Sequence, residues 1–256
     1  MTTTTEMHVE RGGAGEPTLL LLHGMGGAAG VWSRLTALLD EHWAGSWIAP
    51  DLPGHGRSPY LDKYSYAALA DAVAGVLPPG QPVAVLGHSL GGAVGLALAA
   101  GNFGVPVTAV VGVGIKVQWS AQDLEGAAAI AKRPVHFTRT REEAMERALK
   151  SSGLFDLAAG DEPALENLVR RVNDGWRPIF DLRTLTVGAP DMKGWLATLA
   201  DRGIPAILAA GERDPMSPQE HLAELVPDPV SLAGLGHSAH VESPEALLPL
   251  IERLRA

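Results

Sequence analysis

The chain has no cysteine and no long apolar run among its 256 residues. The first absence excludes disulfide bridges, thiolate metal sites and a cysteine nucleophile. The second argues against a membrane-spanning helix, which needs roughly 20 consecutive apolar residues. Residues 1–10 also lack the charged segment followed by an apolar segment that is typical of a signal peptide, so we expect a cytoplasmic protein.

Positive charge is also scarce in this sequence. There are 20 lysines and arginines against 29 aspartates and glutamates, which gives a net charge of −9, and no basic cluster stands out. Nucleic acid and anionic membrane surfaces are therefore poor candidates as partners, and a small molecule is the expected ligand. The sequence leaves open whether the protein is a monomer or a homodimer.

Apolar runs bounded by glycine or proline alternate with helical patterns along most of the chain. The predicted strands are Pro17–Leu22, Ser46–Pro50, Val83–Gly87, Val107–Gly112, Ile204–Ala209 and Pro229–Leu232. The predicted helices between them are Gly30–Leu39, Tyr66–Val76, Leu90–Ala100, Pro218–Val226 and Pro244–Leu254. Most of these strands are continuously apolar, as parallel strands covered on both faces are. The alternation predicts an α/β fold with an open, mostly parallel sheet flanked by helices.

The alternation is interrupted between about residues 116 and 190, where no strand-like run is evident. Three amphipathic segments occur there instead: Ala121–Ala131, Arg141–Lys150 and Ala164–Val172. A long helical insertion between two strands is more than a compact core needs, so this segment is predicted to be a helical cap, or lid. The predicted organisation is a core formed by residues 1–115 and 191–256, with a cap at 116–190.

The most informative motif is Gly87-His88-Ser89-Leu90-Gly91, which follows a buried strand and opens a small-residue helix. A serine on such a sharp turn is held in a strained backbone conformation that exposes its hydroxyl at the edge of the sheet. Glycines on either side leave room for the turn, because side chains there would collide with the strand or helix. The motif predicts a nucleophilic serine; the alternative is a glycine-rich turn that only caps a helix.

Two further groups of polar residues follow predicted strands later in the chain. Glu212 and Asp214 lie directly after one strand, and His237 and His240 lie after the last strand. Catalytic groups in such sheets gather at the carboxyl ends of the strands. A nucleophilic serine needs a base and a group that orients the base, and these residues supply candidates in the chain order serine, acid, histidine.

The motifs together resemble those of the α/β-hydrolase fold family, in its single-chain form with a helical cap. The resemblance covers nearly the whole chain and rests on five motifs in the family's order: His23-Gly24-Met25-Gly26-Gly27, Asp51-Leu52-Pro53-Gly54-His55-Gly56-Arg57-Ser58, the Gly87–Gly91 turn, Gly211-Glu212-Arg213-Asp214, and Gly236-His237 with the His-x-Glu-x-Pro that follows. The N-terminus departs from the family, because only Met7–Glu10 is available as an edge strand in place of the usual hairpin.

The resemblance implies a catalytic triad of Ser89, His237 and Asp214. It also implies an oxyanion hole formed by the backbone N–H groups of Met25 and Leu90. His240 is the alternative to His237 and Glu212 the alternative to Asp214; the glycine before His237 and the turn sequence favour the first of each pair.

Four other polar residues of the shared motifs are expected to have structural roles. His23, His55 and His88 are expected to bridge loop backbones, and Asp51 to brace the turn that follows it. Epoxide hydrolases and haloalkane dehalogenases resemble the same pattern but carry aspartate where Ser89 stands, so both are excluded.

The implied activity is hydrolysis of a small-molecule carboxylic ester through an acyl-enzyme, with no cofactor and no metal. The same residues would also serve a carbon–carbon bond hydrolase acting on diketone- or dienoate-type substrates, or a lactonase, thioesterase, amidase or perhydrolase. A signalling or ligand-binding protein that keeps the fold is a further alternative. Aromatic and histidine side chains are candidates for the substrate pocket: Trp32, Trp119, His136, Phe137, Phe155 and Trp176.

Overall fold

A computed structural model describes residues 6–157 and 164–255 of the chain. Residues 158–163 of the predicted cap lie outside this description. The strands are β1 Val9–Gly13, β2 Thr18–Leu22, β3 Ser46–Pro50, β4 Val83–His88, β5 Val107–Val113, β6 Val169–Val172, β7 Gly175–Pro178, β8 Ala206–Gly211 and β9 Val230–Leu232. The α-helices are α1 Ser33–His42, α2 Tyr66–Ala74, α3 Leu90–Ala100, α4 Ala121–Ala131, α5 Arg141–Ser152, α6 Met192–Asp201, α7 Gln219–Ala223, α8 Ala239–Glu242 and α9 Leu248–Glu252.

Seven strands form one sheet in the order β1-β3-β2-β4-β5-β8-β9. All neighbouring strands are parallel except β1, which pairs antiparallel with β3. The predicted class, a mostly parallel sheet flanked by helices, is therefore confirmed. The edge strand β1, Val9–Gly13, begins two residues later and ends three residues later than the Met7–Glu10 segment expected from the sequence.

The sheet is buried on both faces, which explains the continuous apolar runs. In β2, Leu19 and Leu21 contribute to one hydrophobic cluster, while Leu20 and Leu22 contribute to another. Alternate side chains of a strand point to opposite faces, so a strand with two covered faces must be apolar at every position. Helix α3 is apolar around its whole circumference and has ten buried residues, because it is enclosed between the sheet and other helices.

The predicted insertion follows β5 and contains α4 and α5 as expected. Two predictions about it were wrong, namely a helix at Ala164–Val172 and the absence of strands. The segment predicted as the helix Ala164–Val172 holds a short 3₁₀ turn, Glu166–Leu168, followed by strand β6. Strands β6 and β7 form an antiparallel hairpin joined by Asn173 and Asp174. Asn173 has a φ of 53°, a left-handed conformation that asparagine tolerates better than most residues and that two-residue hairpin turns require.

The remaining differences are spread along the chain. The helix predicted at Gly30–Leu39 begins as a 3₁₀ turn before α1, and the strand predicted at Ile204–Ala209 is β8, two residues later. Helix α6, which leads from the insertion back to the sheet, was not predicted. The helix predicted at Pro218–Val226 is limited to Gln219–Ala223. The helix predicted at Pro244–Leu254 is divided into a 3₁₀ turn, α9 and a second 3₁₀ turn. No helix among the described residues is both long enough and apolar enough to cross a bilayer.

Candidate active site

Ser89 occupies the sharp turn between β4 and α3. Its backbone lies at φ 50° and ψ −114°, a combination that is strained for a residue with a side chain. A Cβ at Gly87 would lie 2.5 Å from the backbone of Gly91, and a Cβ at Gly91 would lie 2.2 Å from the carbonyl oxygen of Leu22. The turn therefore fits only with glycine on both sides of it, and it leaves Ser89 half-buried.

His237 and Asp214 meet at the same edge of the sheet. The Nδ1 atom of His237 lies 2.9 Å from Oδ2 of Asp214, and the Asp214 side chain is fully buried. The second oxygen of Asp214 accepts the main-chain N–H groups of Met216, at 2.8 Å, and Ser217, at 3.3 Å. Because Asp214 accepts a hydrogen bond from Nδ1–H, the lone pair of the His237 ring lies on Nε2.

Glu212 and His240, the alternatives to Asp214 and His237, lie apart from this contact. Glu212 is exposed and accepts the main-chain N–H of Gly234 at 2.7 Å. The ring of His240 is buried against Trp32, with the ring centroids 4.8 Å apart. Burial, and to a smaller extent the proximity of His237, lowers the pKa of His240 to about 3, so it stays uncharged at neutral pH. Neither side chain takes part in the Asp214–His237 contact.

His88, which precedes Ser89, connects the serine turn to the histidine loop. Its Nε2–H donates a hydrogen bond of 2.9 Å to the main-chain oxygen of His237. Its ring also packs against the rings of His237 and His240, with centroids 4.8 Å and 4.2 Å away. Burial keeps the pKa of His88 well below the ordinary value, so the ring is neutral.

Two buried residues brace the loops on the other side of Ser89. His23 Nε2 accepts the main-chain N–H of Leu52 at 2.9 Å, so Nδ1 carries the proton and donates to the Gly24 oxygen at 2.8 Å. Burial lowers the pKa of His23, in keeping with a neutral ring. Asp51 accepts N–H groups from Ala29, at 2.7 Å, and Arg57, at 2.8 Å. Both residues thus bridge loop backbones, as expected from the sequence.

His55 does not bridge two loops as expected from the sequence, because its side-chain hydrogen bond stays within its own turn. Its ring stacks on Phe180, with the centroids 5.0 Å apart, and meets the ring of His23 edge-on at 5.0 Å. Its Nδ1 donates to the Pro53 oxygen at 3.2 Å. Burial lowers the pKa of His55 to about 3.

Two main-chain N–H groups flank Ser89. Leu90 is the first residue of α3, and the N–H groups at a helix start have no partner within the helix. Met25 lies in the loop after β2, where its sulfur is 3.2 Å from the Thr184 hydroxyl. Among the described residues, neither N–H donates a hydrogen bond to a protein acceptor. Both residues line the same cavity as Ser89 and His237.

This cavity has a volume of about 380 Å³ and lies between the core and the insertion. Besides the residues above, the core contributes mainly apolar side chains: Tyr66, Ala93, Ile115 and Met216. The insertion contributes Lys116, Trp119, Lys150, Ser151, Ser152, Gly153, Leu185, Val187 and Pro190. Ser89 therefore lies in a cleft with walls from both parts of the chain.

Of the six side chains predicted to line a substrate pocket, only Trp119 lines this cavity. Trp32 is fully buried in the hydrophobic core, and Trp176 belongs to β7 and packs against that core from its edge. His136 and Phe137 border a separate surface depression, and Phe155 is 43% exposed beneath the ammonium of Lys150. These five side chains thus lie outside the cavity: the two tryptophans pack in or against the core, and the two phenylalanines are exposed.

Most residues that line the cavity were not predicted from the sequence. Leu185, Val187 and Pro190 lie in and after an unpredicted 3₁₀ segment, and no spacing rule indicates them. Met216 carries a usable signal, because it follows Asp214 by two residues and so lies at the same strand end. Within the described ranges, no group of three or more histidine, aspartate or glutamate residues is arranged to hold a metal ion.

Comparisons with known proteins agree with this architecture. The family model "Alpha/beta hydrolase family" matches residues 19–250. The lipase LipV of Mycobacterium tuberculosis is 41% identical in a match 98 positions long that covers 37% of this chain and 36% of the lipase. Protein phosphatase methylesterase 1 of Mus musculus is 32% identical in a match 165 positions long that covers 58% of this chain and 40% of the methylesterase. The chain thus covers less than half the length of these curated relatives.

A solved structure, that of E-2-(acetamidomethylene)succinate hydrolase, superposes with a TM-score of 0.79. The superposition covers 97% of this chain and 94% of that one at 22% sequence identity, so the likeness is one of fold. Because the family model covers most of the chain, including every strand and loop that forms the site, this protein belongs to the α/β-hydrolase family.

Proposed function

We propose that the protein is a serine hydrolase that cleaves a small-molecule carboxylic ester through an acyl-enzyme. The observation that carries this proposal is the 2.9 Å contact between His237 Nδ1 and Asp214 Oδ2, at a cavity that also exposes the strained Ser89. In this proposal Ser89 is the nucleophile, His237 the general base and Asp214 the group that orients the base.

The proton transfers follow from the hydrogen bonds. Asp214 fixes the Nδ1–H form of His237, so Nε2 can accept the proton of the Ser89 hydroxyl as it attacks the ester carbonyl. No hydrogen bond of the Ser89 hydroxyl is recorded among the described residues, and such contacts often tighten only when substrate is bound. The protonated ring then gives its proton to the departing alcohol. Water enters by the same route and releases the acid.

The negative charge that develops on the carbonyl oxygen needs fixed donors. The N–H groups of Met25 and Leu90 are assigned this role, because both lie at the cavity beside Ser89 and have no recorded acceptor in the described chain. The partial positive charge at the start of α3 adds to their effect. In acyl-transfer enzymes, one such donor is worth about 100- to 1000-fold in turnover.

Two of the relatives support an ester as substrate, since a lipase and a methylesterase are both named for ester hydrolysis. No observation in the described chain favours carbon–carbon bond cleavage, so that alternative is not proposed.

We also propose that residues 116–190 act as a cap over the core, which is formed by residues 1–115 and 191–256. Nine of the residues that line the cavity come from this segment, among them Trp119 and Leu185. A cleft covered in this way excludes water, which strengthens the electrostatic contacts at the reacting carbonyl.

The deciding experiment compares wild type with Ser89→Ala on a panel of nitrophenyl esters. We expect turnover to fall by about 10⁴-fold or more, because the nucleophile is lost, while ligand binding measured by thermal shift persists. A fluorophosphonate should label wild type at Ser89 alone. Full activity in the alanine variant would disprove the nucleophile assignment, and ligand binding without turnover in wild type would favour a ligand-binding protein.

A further inference from the structure

The cavity beside Ser89 has an unusual balance of charge for this protein. The whole chain has 29 acidic residues against 20 basic ones. Around the cavity, however, Lys116 and Lys150 are the charged side chains among the described residues, and no aspartate or glutamate lines it. The cavity is thus lined by two ammonium groups, while the carboxylates that pair with them, Asp123 and Glu146, lie outside its lining.

Lys116 is held at the cavity wall by several contacts. Its ammonium lies 2.8 Å from Asp123 Oδ1 and 4.9 Å from the ring centroid of Trp119. The indole N–H of Trp119 donates to the main-chain oxygen of Lys116 at 2.8 Å. The Lys116 side chain is 24% exposed. A cation fixed in this way needs little ordering when an anion approaches it.

Lys150 lies in the last turn of α5 and is more exposed. It pairs with Glu146, four residues earlier on the same helix, and its ammonium lies 4.7 Å from the ring centroid of Phe155. More than half of each partner's side chain is exposed, and exposed pairs of this spacing contribute little to stability. Lys150 can therefore exchange Glu146 for an anion in the cavity at small cost.

Building on the function proposed above, we infer that the substrate is an ester that carries a carboxylate at the end remote from the scissile bond. Lys116 and Lys150 would bind that carboxylate. Much of the remaining lining is apolar, as at Ala93, Ile115 and Val187, and suits an aliphatic chain between the ester and the charge. The inference names a substrate class and leaves the roles of the proposed triad unchanged.

The test uses matched pairs of substrates that differ only in the terminal charge. On the acyl side, the mono-4-nitrophenyl esters of glutaric and adipic acid are compared with 4-nitrophenyl pentanoate and hexanoate. On the alcohol side, the acetate ester of 4-hydroxybutanoic acid is compared with butyl acetate in a pH-stat. We expect kcat/KM for the charged member of at least one set to exceed that of its neutral partner by about tenfold, and added salt to reduce this ratio.

Variants assign the preference to the two lysines. In Lys116→Met and in Lys150→Met, the ratio of kcat/KM for the charged ester to that for the neutral ester should fall by about threefold to fivefold. In Lys116→Arg and Lys150→Arg this ratio should recover, because the positive charge is kept. Lys132→Met is the matched control, since Lys132 is exposed, lies just after α4, does not line the cavity, and its loss changes the net charge equally. Its ratio should equal that of wild type.

The outcomes separate this inference from the proposed function. Equal kcat/KM for charged and neutral esters, or a ratio that Lys132→Met lowers as much as the cavity variants do, overturns the inference while ester hydrolysis stands. Failure of wild type to hydrolyse any of these esters overturns the proposed function and the inference with it.

Discussion

The carboxyl edge of the main sheet and the insertion are built differently. At the sheet edge, buried polar groups such as Asp51, His23 and Asp214 each bind two or more groups, one of which belongs to another loop. In the insertion, helix α4 has no buried residue at all. Tight packing and buried hydrogen bonds hold the geometry of a site in place, whereas a lightly packed helix contributes little to the stability of the core.

The insertion is not uniform, because its segment around Asp181 is hydrogen-bonded to the loop that follows β3. The Tyr64 hydroxyl donates to Asp181 Oδ2 at 2.8 Å, and the Asp181 N–H donates to the Gly54 oxygen at 2.8 Å. Although burial alone would raise it, the pKa of Asp181 is lowered by hydrogen bonds from Arg183 and Tyr64. The insertion thus combines a segment that is hydrogen-bonded to the core with a helix that has no buried residue.

The largest effect is expected at the sheet edge, from Asp214→Asn. The amide still fits the site but cannot hold His237 in the Nδ1–H form, so kcat should fall by about 10⁴-fold. Glu212→Gln is the matched control, because Glu212 lies on the same turn and contacts only a main-chain N–H of an exposed glycine. Steady-state kinetics on a nitrophenyl acetate would check both. Equal losses in the two variants would refute the assignment of the acid.

A pair of glycine substitutions compares packing in the two regions. Gly91→Ala places a Cβ 2.2 Å from the Leu22 carbonyl oxygen and should lower the free energy of unfolding by about 3 kcal/mol or more. Gly126→Ala in α4 meets no atom within 4 Å and should stabilise that helix by about 0.5–1 kcal/mol. Urea unfolding of each variant gives the comparison. A neutral Gly91→Ala would mean that the turn is less tightly packed than described.

The buried histidines predict that the core loses stability in acid. An unfolded His240 titrates near its ordinary pKa of 6.5, whereas burial lowers its pKa in the folded protein to about 3. Between these values the unfolded chain binds a proton that the folded protein does not, so the free energy of unfolding falls as the pH falls. The slope is about 1.4 kcal/mol per pH unit for one such group.

His240→Phe tests this slope, because it keeps a ring against Trp32 and removes the titrating group. Urea unfolding of both proteins at pH 7, 6 and 5 should show a shallower acid dependence in the variant, by about the amount of one histidine. Above pH 7 the free energy of unfolding should depend on pH in the same way in both proteins. Identical slopes below pH 6 would show that His240 is protonated in the folded protein.

The smallest effect is expected in the insertion, from Trp119→Ala. Trp119 is the one predicted aromatic that lines the cavity, so its loss should change the preferred acyl-chain length by several-fold while acetate ester turnover changes less. Trp176→Ala is the control, because Trp176 pairs with Thr138 through both main-chain groups and packs at the edge of the core. It should lower stability with no change in chain-length preference.

The sequence predicted the regular parts of the fold well. Strand β3 and helix α3 have the bounds expected from the apolar pattern, because burial on both sides imposes a continuous signal. The hairpin of β6 and β7 was missed, since its four-residue strands carry arginines at two exposed positions and show no apolar run. Helix α6 was missed because glycine and tryptophan interrupt its pattern.

The sequence by itself determined the serine turn, because Gly87 and Gly91 are what allow Ser89 its backbone conformation. It also fixed the order in which serine, acid and histidine reach the sheet edge, since parallel strands present their carboxyl ends together. Only the tertiary structure decided that His237 contacts Asp214 while His240, three residues later, turns into the core against Trp32. The cavity lining was likewise a tertiary outcome, because it joins segments whose approach depends on long-range packing that local patterns do not encode.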